Sequence, residues 1–505
     1  MLGRTLMVQG TGSHVGKSFL VAGLCRAFRQ DGLRVAPFKA QNMSNNAAVC
    51  PGGGEIARAQ AVQARACGIP PSVDMNPILL KPGSETGAQV VVRGQAVGTM
   101  TARQYLAEAP RLLQVVRESL DRLRAEYDLV ILEGAGSPAE VNLRDSDLGN
   151  MRAAALADAP VLLVADIDRG GVFAQLLGTL RLLRPDERKR VRGFVINKFR
   201  GDLEILRPGL DFLVRRTGRP VLGVVPFAGD VRLPEEDTLG PRSEVGRRAD
   251  RVLRIDVVRH PHIANFTDMD ALEAEPDVLL RYVDRPDGSL PDALILPGSK
   301  TTIPDLVHLK ACGLADHIAR CVEEGVTVVG ICGGFQMLGT RVLDPYRVES
   351  GTPAEEGLGY LPAITVMDRR KHTALVRAVH LESGLEVEGY EIHMGCTQHA
   401  GDAAPVFRIV ERHGMPAEGL EGLAAAGGRV WGTYLHGVFD SGPFRRAFLN
   451  RLRAHRGWPP LPPAGEPSVD ATLDRIADLL REHVDMAALA RLAGVEGVPR
   501  HGRAP

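Results

Sequence analysis

Two short stretches of this sequence carry residue types at spacings suited to reactive chemistry. The first is Gly10-Thr11-Gly12-Ser13-His14-Val15-Gly16-Lys17-Ser18, set between an apolar run and a helical pattern. A glycine loop in that position lets main-chain N–H groups and a helix N-terminus converge on phosphate oxygens. The lysine then reaches the terminal phosphates of ATP, and the Ser18 hydroxyl can ligate Mg²⁺. The second is Val326-Thr-Val-Val-Gly330-Ile-Cys332-Gly333-Gly334-Phe-Gln336. An apolar strand feeding Gly-Ile-Cys-Gly-Gly has the form of a nucleophile elbow with sulfur in place of a hydroxyl. A lone cysteine ordinarily ends as packed core. The flanking glycines, which have no evident packing purpose in the sequence, point instead to a strained turn that exposes the thiol. A helix N-terminus behind it favours the thiolate, and the Gly333 N–H can face an oxyanion.

Each stretch needs partners. For the thiol, the run Val430–Leu435 leads into His436, 104 positions after Cys332, which suits a Cys-His pair that meets only in the fold. His393, in Tyr390-Glu-Ile-His-Met-Gly395, is a competing base, ranked below His436. The loop Leu296-Pro-Gly298-Ser-Lys-Thr-Thr302 follows another strand and offers Gly298 as a second oxyanion N–H. For the phosphate loop, Leu129–Leu132 is a buried strand ending in Glu133, placed to hold Mg²⁺ or its waters. Asn197-Lys198 resembles the base-reading Asn-Lys of related nucleotide-binding folds. No Asp follows where guanine would be selected, so adenine is expected at Asn197, with a plain turn as the alternative. Asp145, Asp147, Asp166 and Asp168 cluster near the same region as candidates for Mg²⁺ or substrate.

The elements that must position these groups read as an α/β protein with mostly parallel sheets, because short apolar runs alternate with helical periodicity. Front strands are expected at Thr5–Gln9, Val35–Phe38, Leu129–Leu132, Val161–Ala165, Gly193–Ile196 and Val221–Val225. Between the first two, Lys17–Gln30 sets Leu20, Leu24, Ala27 and Phe28 on one helical face, with Gly32 as a stop. Residues 226–250 are polar and rich in charge, proline and glycine, and mark a boundary. A second series follows at Leu253–Val258, Ala293–Leu296, Val326–Ile331 and Val430–Leu435. The expected division is an ATP-binding domain over 1–240, a glutaminase domain over 251–455 and a helical tail over 456–505. That tail carries Ile476, Leu479 and Leu480 and ends in a polar Gly-Val-Pro-Arg-His-Gly-Arg-Ala-Pro.

At 505 residues, two domains of ordinary size are expected. Lys+Arg and Asp+Glu are both 61, so no global basic field exists to hold nucleic acid or an anionic membrane. The seven cysteines form no CxxC pair, which argues against a disulfide framework or structural zinc and fits a reducing compartment. The opening residues run directly into a strand, with no leader-like apolar stretch and no long apolar span elsewhere. A cytoplasmic location is expected.

Taken with Lys39-Ala-Gln41-Asn42-Met-Ser-Asn45-Asn46, Glu133-Gly-Ala-Gly-Ser-Pro-Ala-Glu140, Ala165-Asp-Ile-Asp-Arg-Gly-Gly171 and Gly389-Tyr-Glu-Ile-His-Met-Gly395, these motifs resemble the cobyric acid synthase family over nearly the whole chain. The phosphate loop, one residue longer than the standard pattern, is similar to that of dethiobiotin synthetase and its relatives. The resemblance implies an N-terminal dethiobiotin-synthetase-like domain and a C-terminal class I glutamine amidotransferase-like domain. It also implies ATP- and glutamine-dependent amidation of four peripheral carboxylates (b, d, e and g) on a corrinoid, adenosylcobyrinic acid a,c-diamide. Cys332 would be the nucleophile and His436 its base, with Gln41, Asn42, Asn45, Asp145 and Asp147 as candidates on the substrate side. The wider amidotransferase pattern would put a carboxylate at position 438, where this chain has Val438, so no third member is assigned and Asp440 is not carried over.

Other readings stay open. The run Gln-Asn-Met-Ser-Asn-Asn separates the chain from the sister a,c-diamide synthase, but a related amidoligase remains the near rival. From another class, a partitioning-type ATPase switch shares the front-half fold and has no use for a thiol elbow.

Overall fold

The computed structural model describes residues 2–83, 87–144, 146–229, 231, 233, 251–399, 403–463 and 469–496. Of the expected boundary at 226–250, only 226–229, 231 and 233 fall within that range, and the last nine residues of the tail lie outside it.

The front half is built on six parallel strands: β1 (Arg4–Gly10), β2 (Val35–Phe38), β3 (Leu129–Glu133), β4 (Val161–Asp166), β5 (Val191–Phe199) and β6 (Val221–Pro226). Their order is β6-β5-β4-β1-β3-β2. These strands are almost continuous apolar runs because helices cover both faces of the sheet. Successive connections run to opposite sides of β1, which lies between β3 and β4. The carboxyl ends of those three strands therefore form the crevice where open α/β sheets bind ligands. Helix α1 (Lys17–Gln30) follows β1 over the residues expected. A smaller sheet, Gln41–Met43, Ile78–Pro82, Gly87–Val92 and Gln95–Thr101, branches from the end of β2.

The back half repeats the theme with β7 (Leu253–Val258), β8 (Val278–Val283), β9 (Ala293–Leu296) and β10 (Thr327–Ile331), the last leading into helix α2 (Gly333–Leu338). Two long antiparallel strands follow, β11 (Ala363–His380) and β12 (Glu386–His399), and then β13 (Leu423–Ala425) and β14 (Val430–Thr433). The central order is β8-β7-β9-β10-β14-β13, with only β13 antiparallel to its neighbour. The β11–β12 hairpin stands outside that sheet and was not expected from the sequence, since charged residues (Asp368, Arg369, Arg370, Lys371) interrupt the alternation of β11.

The tail is not a separate body. Helix α3 (Val469–His483) packs on α1, so closely that a Cβ at Gly23 would lie 2.6 Å from both Ile476 and Leu480. Arg26 closes the contact with ion pairs to Asp474 at 2.6 Å and Asp470 at 3.3 Å. The last helices thus complete the front half. Among the described residues, no helix is long and apolar enough to cross a membrane.

The back half also holds a buried ionic cluster. Asp277 takes Arg446 at 3.0 Å and Arg453 at 3.1 Å, while Glu275 takes Arg445 at 2.7 Å and is also bonded to Arg446. Removing one carboxylate strands buried guanidinium groups, which costs far more than the pair contributes. Asp277→Ala should lower the stability of the back half by about 3–5 kcal/mol, read as an earlier urea midpoint with little change in slope. An unchanged midpoint would show that water already satisfies these groups.

Candidate active sites

Cys332 ends β10 with φ 52° and ψ −107°, a conformation costly for a residue with a side chain. What holds it there is the close packing of the turn. A Cβ at Gly333 would lie 2.7 Å from the Ser299 nitrogen, and one at Gly334 would lie 1.9 Å from the Leu296 oxygen. The glycines around the thiol therefore do have a packing purpose, which the sequence did not disclose. They let the elbow and α2 sit directly against the loop after β9. That contact brings Gly333 beside the loop carrying Gly298, and both expected oxyanion glycines border the thiol site.

His436 follows β14, the strand next to β10, so the expected pair is assembled by adjacent parallel strands. The imidazole is fully buried, and its main chain exchanges both hydrogen bonds with Tyr390 of β12 at 2.9 and 3.1 Å. The Tyr390 ring stacks on it at 5.1 Å. A third member is present where none was expected. Asp268, in the short turn Phe266–Met269, lies 2.7 Å from His436 Nδ1 through Oδ2, and its Oδ1 accepts the Gly437 N–H at 3.0 Å. Burial alone would depress the imidazole pKa, but Asp268 and the Cys332 sulfur outweigh it and raise it to about 10. Asp440 is turned away, 3.8 Å from Arg58. His393 borders the same cavity, but its Nδ1 lies 3.1 Å from the Gly395 carbonyl and its ring stacks on Tyr434. Burial, with His372 alongside, holds its pKa down to about 3, so His436 is the better-placed base.

In the front half the loop closes on the expected residues. Gly16 sits at φ 97°, and a Cβ at Gly10 would come within 2.6 Å of Val15 and 3.0 Å of Lys17. The Thr11 main-chain N–H is held by Val164, and its hydroxyl lies 3.1 Å from Gln175. Lys17 Nζ lies inside the loop, donating to the carbonyls of Gly12 at 2.8 Å and Gly136 at 3.0 Å. Ser18 donates to Glu133 at 2.8 Å, so the two expected metal residues touch. The same carboxylate accepts from Lys39 at 2.9 Å and Gln63 at 2.5 Å. Among the described residues, no three His, Cys, Asp or Glu side chains gather as a metal cage. A nucleotide-borne Mg²⁺ does not need one, because phosphates and water supply most of its octahedron. The adjacent Ser18 hydroxyl and Glu133 carboxylate fit that requirement, with Lys39 as a competitor for the carboxylate.

Several of the expected ligand residues hydrogen-bond within the protein. Asn197 donates its amide to the Val15 carbonyl at 2.9 Å and is buried, which braces the phosphate loop. Lys198 does likewise toward His14 at 2.7 Å. Asn42 is buried, donating to Gln60 at 2.9 Å while its oxygen accepts the Met43 N–H at 2.8 Å, so it shapes its own segment. Gln41 accepts from Tyr105 at 2.7 Å. Asp147 accepts the Gly149 N–H at 2.8 Å and the Asn150 N–H at 3.2 Å, and burial pushes its carboxyl up. Asp166 and Asp168 are paired with Lys198 at 2.9 Å and Arg200 at 3.0 Å. Asp145 lies outside the described residues.

Asn45 departs furthest from expectation. It lines the cavity of Cys332 and His436, alongside Lys81 from the same half. The two halves meet here through Ala47, Val49, Ala57, Leu79 and Val91 on one side and Tyr390 and Ile392 on the other. Fully buried Glu55 ties them further, bonded to Lys81 of the front half and to Lys371 of β11 at 2.5 Å. Burial opposes its charge, but the two ammonium groups hold its pKa down near 2, while burial pushes Lys81 down to about 7.

Residues 6–239 match the CobQ/CobB/MinD/ParA nucleotide binding domain family, and residues 254–444 match the CobB/CobQ-like glutamine amidotransferase domain family. Among curated relatives, the cobyric acid synthase of Syntrophobacter fumaroxidans is 50% identical, covering 98% of this chain and 100% of its own. That of Sorangium cellulosum is 48% identical, with the same coverage of each chain. That of Dehalococcoides mccartyi is 47% identical over 96% of this chain and 98% of its own.

Proposed function

The chain belongs to the cobyric acid synthase family, and from that premise we propose that it converts adenosylcobyrinic acid a,c-diamide to adenosylcobyric acid. The reaction amidates the b, d, e and g carboxylates with ATP as activator and glutamine as nitrogen donor. We assign residues 1–240 to ATP binding and carboxylate activation, 251–455 to glutamine hydrolysis, and the remainder to the tail. Reduced cysteines throughout suit a cytoplasmic enzyme.

His436, oriented by Asp268, takes the Cys332 proton, and the thiolate attacks the side-chain amide of glutamine. N–H groups of the loops carrying Gly298 and Gly333 hold the oxyanion until ammonia leaves, and water then releases glutamate from the thioester. In the front half, Lys17 and the loop N–H groups, with the pocket around Gly10, Thr11, Gly12, Gly16 and Ser18, bind the ATP phosphates. Mg²⁺ bound with ATP supplies charge neutralisation, and Ser18 and Glu133 are the residues that would hold it. A corrin carboxylate attacks the γ-phosphorus and releases ADP, and ammonia then displaces phosphate from the acyl phosphate, losing a proton to leave the amide. Gln41, Asn42, Asn45, Asp145 and Asp147 are our candidates for the corrin side.

The observation that carries this reading is the Cys332–His436–Asp268 constellation in a cavity walled in part by the front half. A partitioning-type switch would have no use for it. The a,c-diamide synthase alternative differs in substrate, so product mass decides. Incubation with the a,c-diamide, ATP and glutamine should yield corrinoid species in which each step exchanges one OH for NH₂, ending at four exchanges. If ATP is consumed and no amidated corrinoid forms, the substrate assignment fails.

A further inference from the structure

Asn265 sits at φ 51°, just before the turn that carries Asp268, and makes two contacts to the front half and one to His436. Its N–H donates to the Asn45 carbonyl at 3.4 Å, and its side-chain oxygen accepts the Ala47 N–H at 3.0 Å. Its side-chain nitrogen lies 3.2 Å from His436 Nε2. The neighbouring Asn46 oxygen accepts the Phe266 N–H at 3.1 Å, so the turn is gripped from the front half at consecutive residues.

The orientation of this amide is set by chemistry. The Ala47 N–H can only donate, so the atom facing it is the Asn265 oxygen, which leaves the NH₂ group toward His436. Nε2 must then accept, and the ring proton lies on Nδ1, against Asp268. An imidazolium would point an N–H at an NH₂ group, donor against donor. Asp268 and the Cys332 sulfur favour the charged ring, whereas the Asn265 amide and burial oppose it. The other titratable groups around it are Tyr390, stacked on the ring, and His393, held neutral by burial. Half-buried Arg58 acts on both Asp268 and Tyr390, and half-buried Lys300 faces Cys332.

We propose that Asn265 is a positioning residue through which segment 45–47 of the front half sets the charge state of His436. While Ala47 holds its oxygen, Asn265 opposes protonation of the imidazole and competes for the lone pair that must take the Cys332 proton. When segment 45–47 shifts, the amide can turn its oxygen to Nε2–H and support the imidazolium–thiolate pair. The proton moves only from Cys332 Sγ to His436 Nε2. Linking that shift to corrinoid binding rests on the function proposed above; the Asn265–His436 coupling itself does not.

The test is the pH dependence of iodoacetamide alkylation at Cys332 in the full chain, read by peptide mass spectrometry because Cys396 is exposed. In Asn265→Asp one oxygen keeps the Ala47 contact and the other can accept from Nε2–H. The alkylation midpoint should fall by about one pH unit, a roughly tenfold faster reaction below it. Asn265→Ser, which removes the opposing NH₂ without adding charge, should shift it the same way by less. It also serves as the readout if the Asp variant does not fold. A folded variant of either kind whose profile superimposes on the parent overturns the proposal, since a merely structural side chain would leave the midpoint in place. The a,c-diamide added to the parent protein should move its midpoint toward that of Asn265→Asp. Shifted variants with no corrinoid effect would uphold Asn265 and reject corrinoid binding at segment 41–47.

Discussion

Cys332→Ala should abolish glutamine-driven amidation, by about 10⁴-fold or more, as loss of a covalent nucleophile does elsewhere. Amidation driven by added ammonia should persist, because the acyl phosphate is made in the other half. The substitution is well suited to the question. Cys332 is 7% exposed and already sits at positive φ, so alanine inherits the same turn and removes little more than the sulfur. The close approaches at Gly333 and Gly334 that fix the elbow are untouched. The measurement is amidated corrinoid formed with glutamine and, separately, with ammonium chloride. Unimpaired use of glutamine would falsify the thiol mechanism. Loss of both activities would mean that the elbow also supports the synthetase half.

Asp268→Ala should have the next largest effect, about 10³–10⁴-fold on glutamine-driven turnover, the scale seen when the carboxylate behind a catalytic histidine is lost. The 2.7 Å contact with Nδ1 fixes the ring, and the second oxygen fixes the Gly437 N–H. Removing it also reverses the electrostatic balance at His436. Burial then dominates, the imidazolium is disfavoured, and the midpoint for alkylation of Cys332 should rise. That direction is opposite to the one expected for Asn265→Asp, so one assay separates the two residues. Ammonia-driven amidation should again survive. A glutamine rate within a few-fold of the parent would leave Cys332 and His436 as a sufficient pair.

The contrast between these residues explains what the sequence could disclose. Cys332 and His436 each end an apolar strand, and Lys17 and Ser18 follow a glycine loop, so local order announces them. Asp268 lies 168 positions before His436, in Asn-Phe-Thr-Asp-Met-Asp, with nothing around it to separate it from Asp270. It became visible only when the turn was folded under the end of β14. The amides are ambiguous for a different reason. Asn42, Asn45 and Asn197 are the same functional group, and sequence cannot tell an amide facing a ligand from one satisfying a buried carbonyl. Asn197 spends its donor on Val15, and Asn45 turns to the other half's cavity. The strands of both central sheets were legible because burial on two faces writes long apolar runs. The β11–β12 hairpin was not, since one face meets solvent and its middle carries charge.

The packing of α3 on α1 has a consequence for how the molecule comes into being. A ribosome delivers the phosphate loop before the thiol half, and the helix that covers α1 after it. The front half therefore waits, with Gly23 and its neighbours uncovered, until the thiol half has been synthesised and the chain has doubled back. A cut at the boundary between the sheets would not release two finished pieces, because the first would have left its lid on the second.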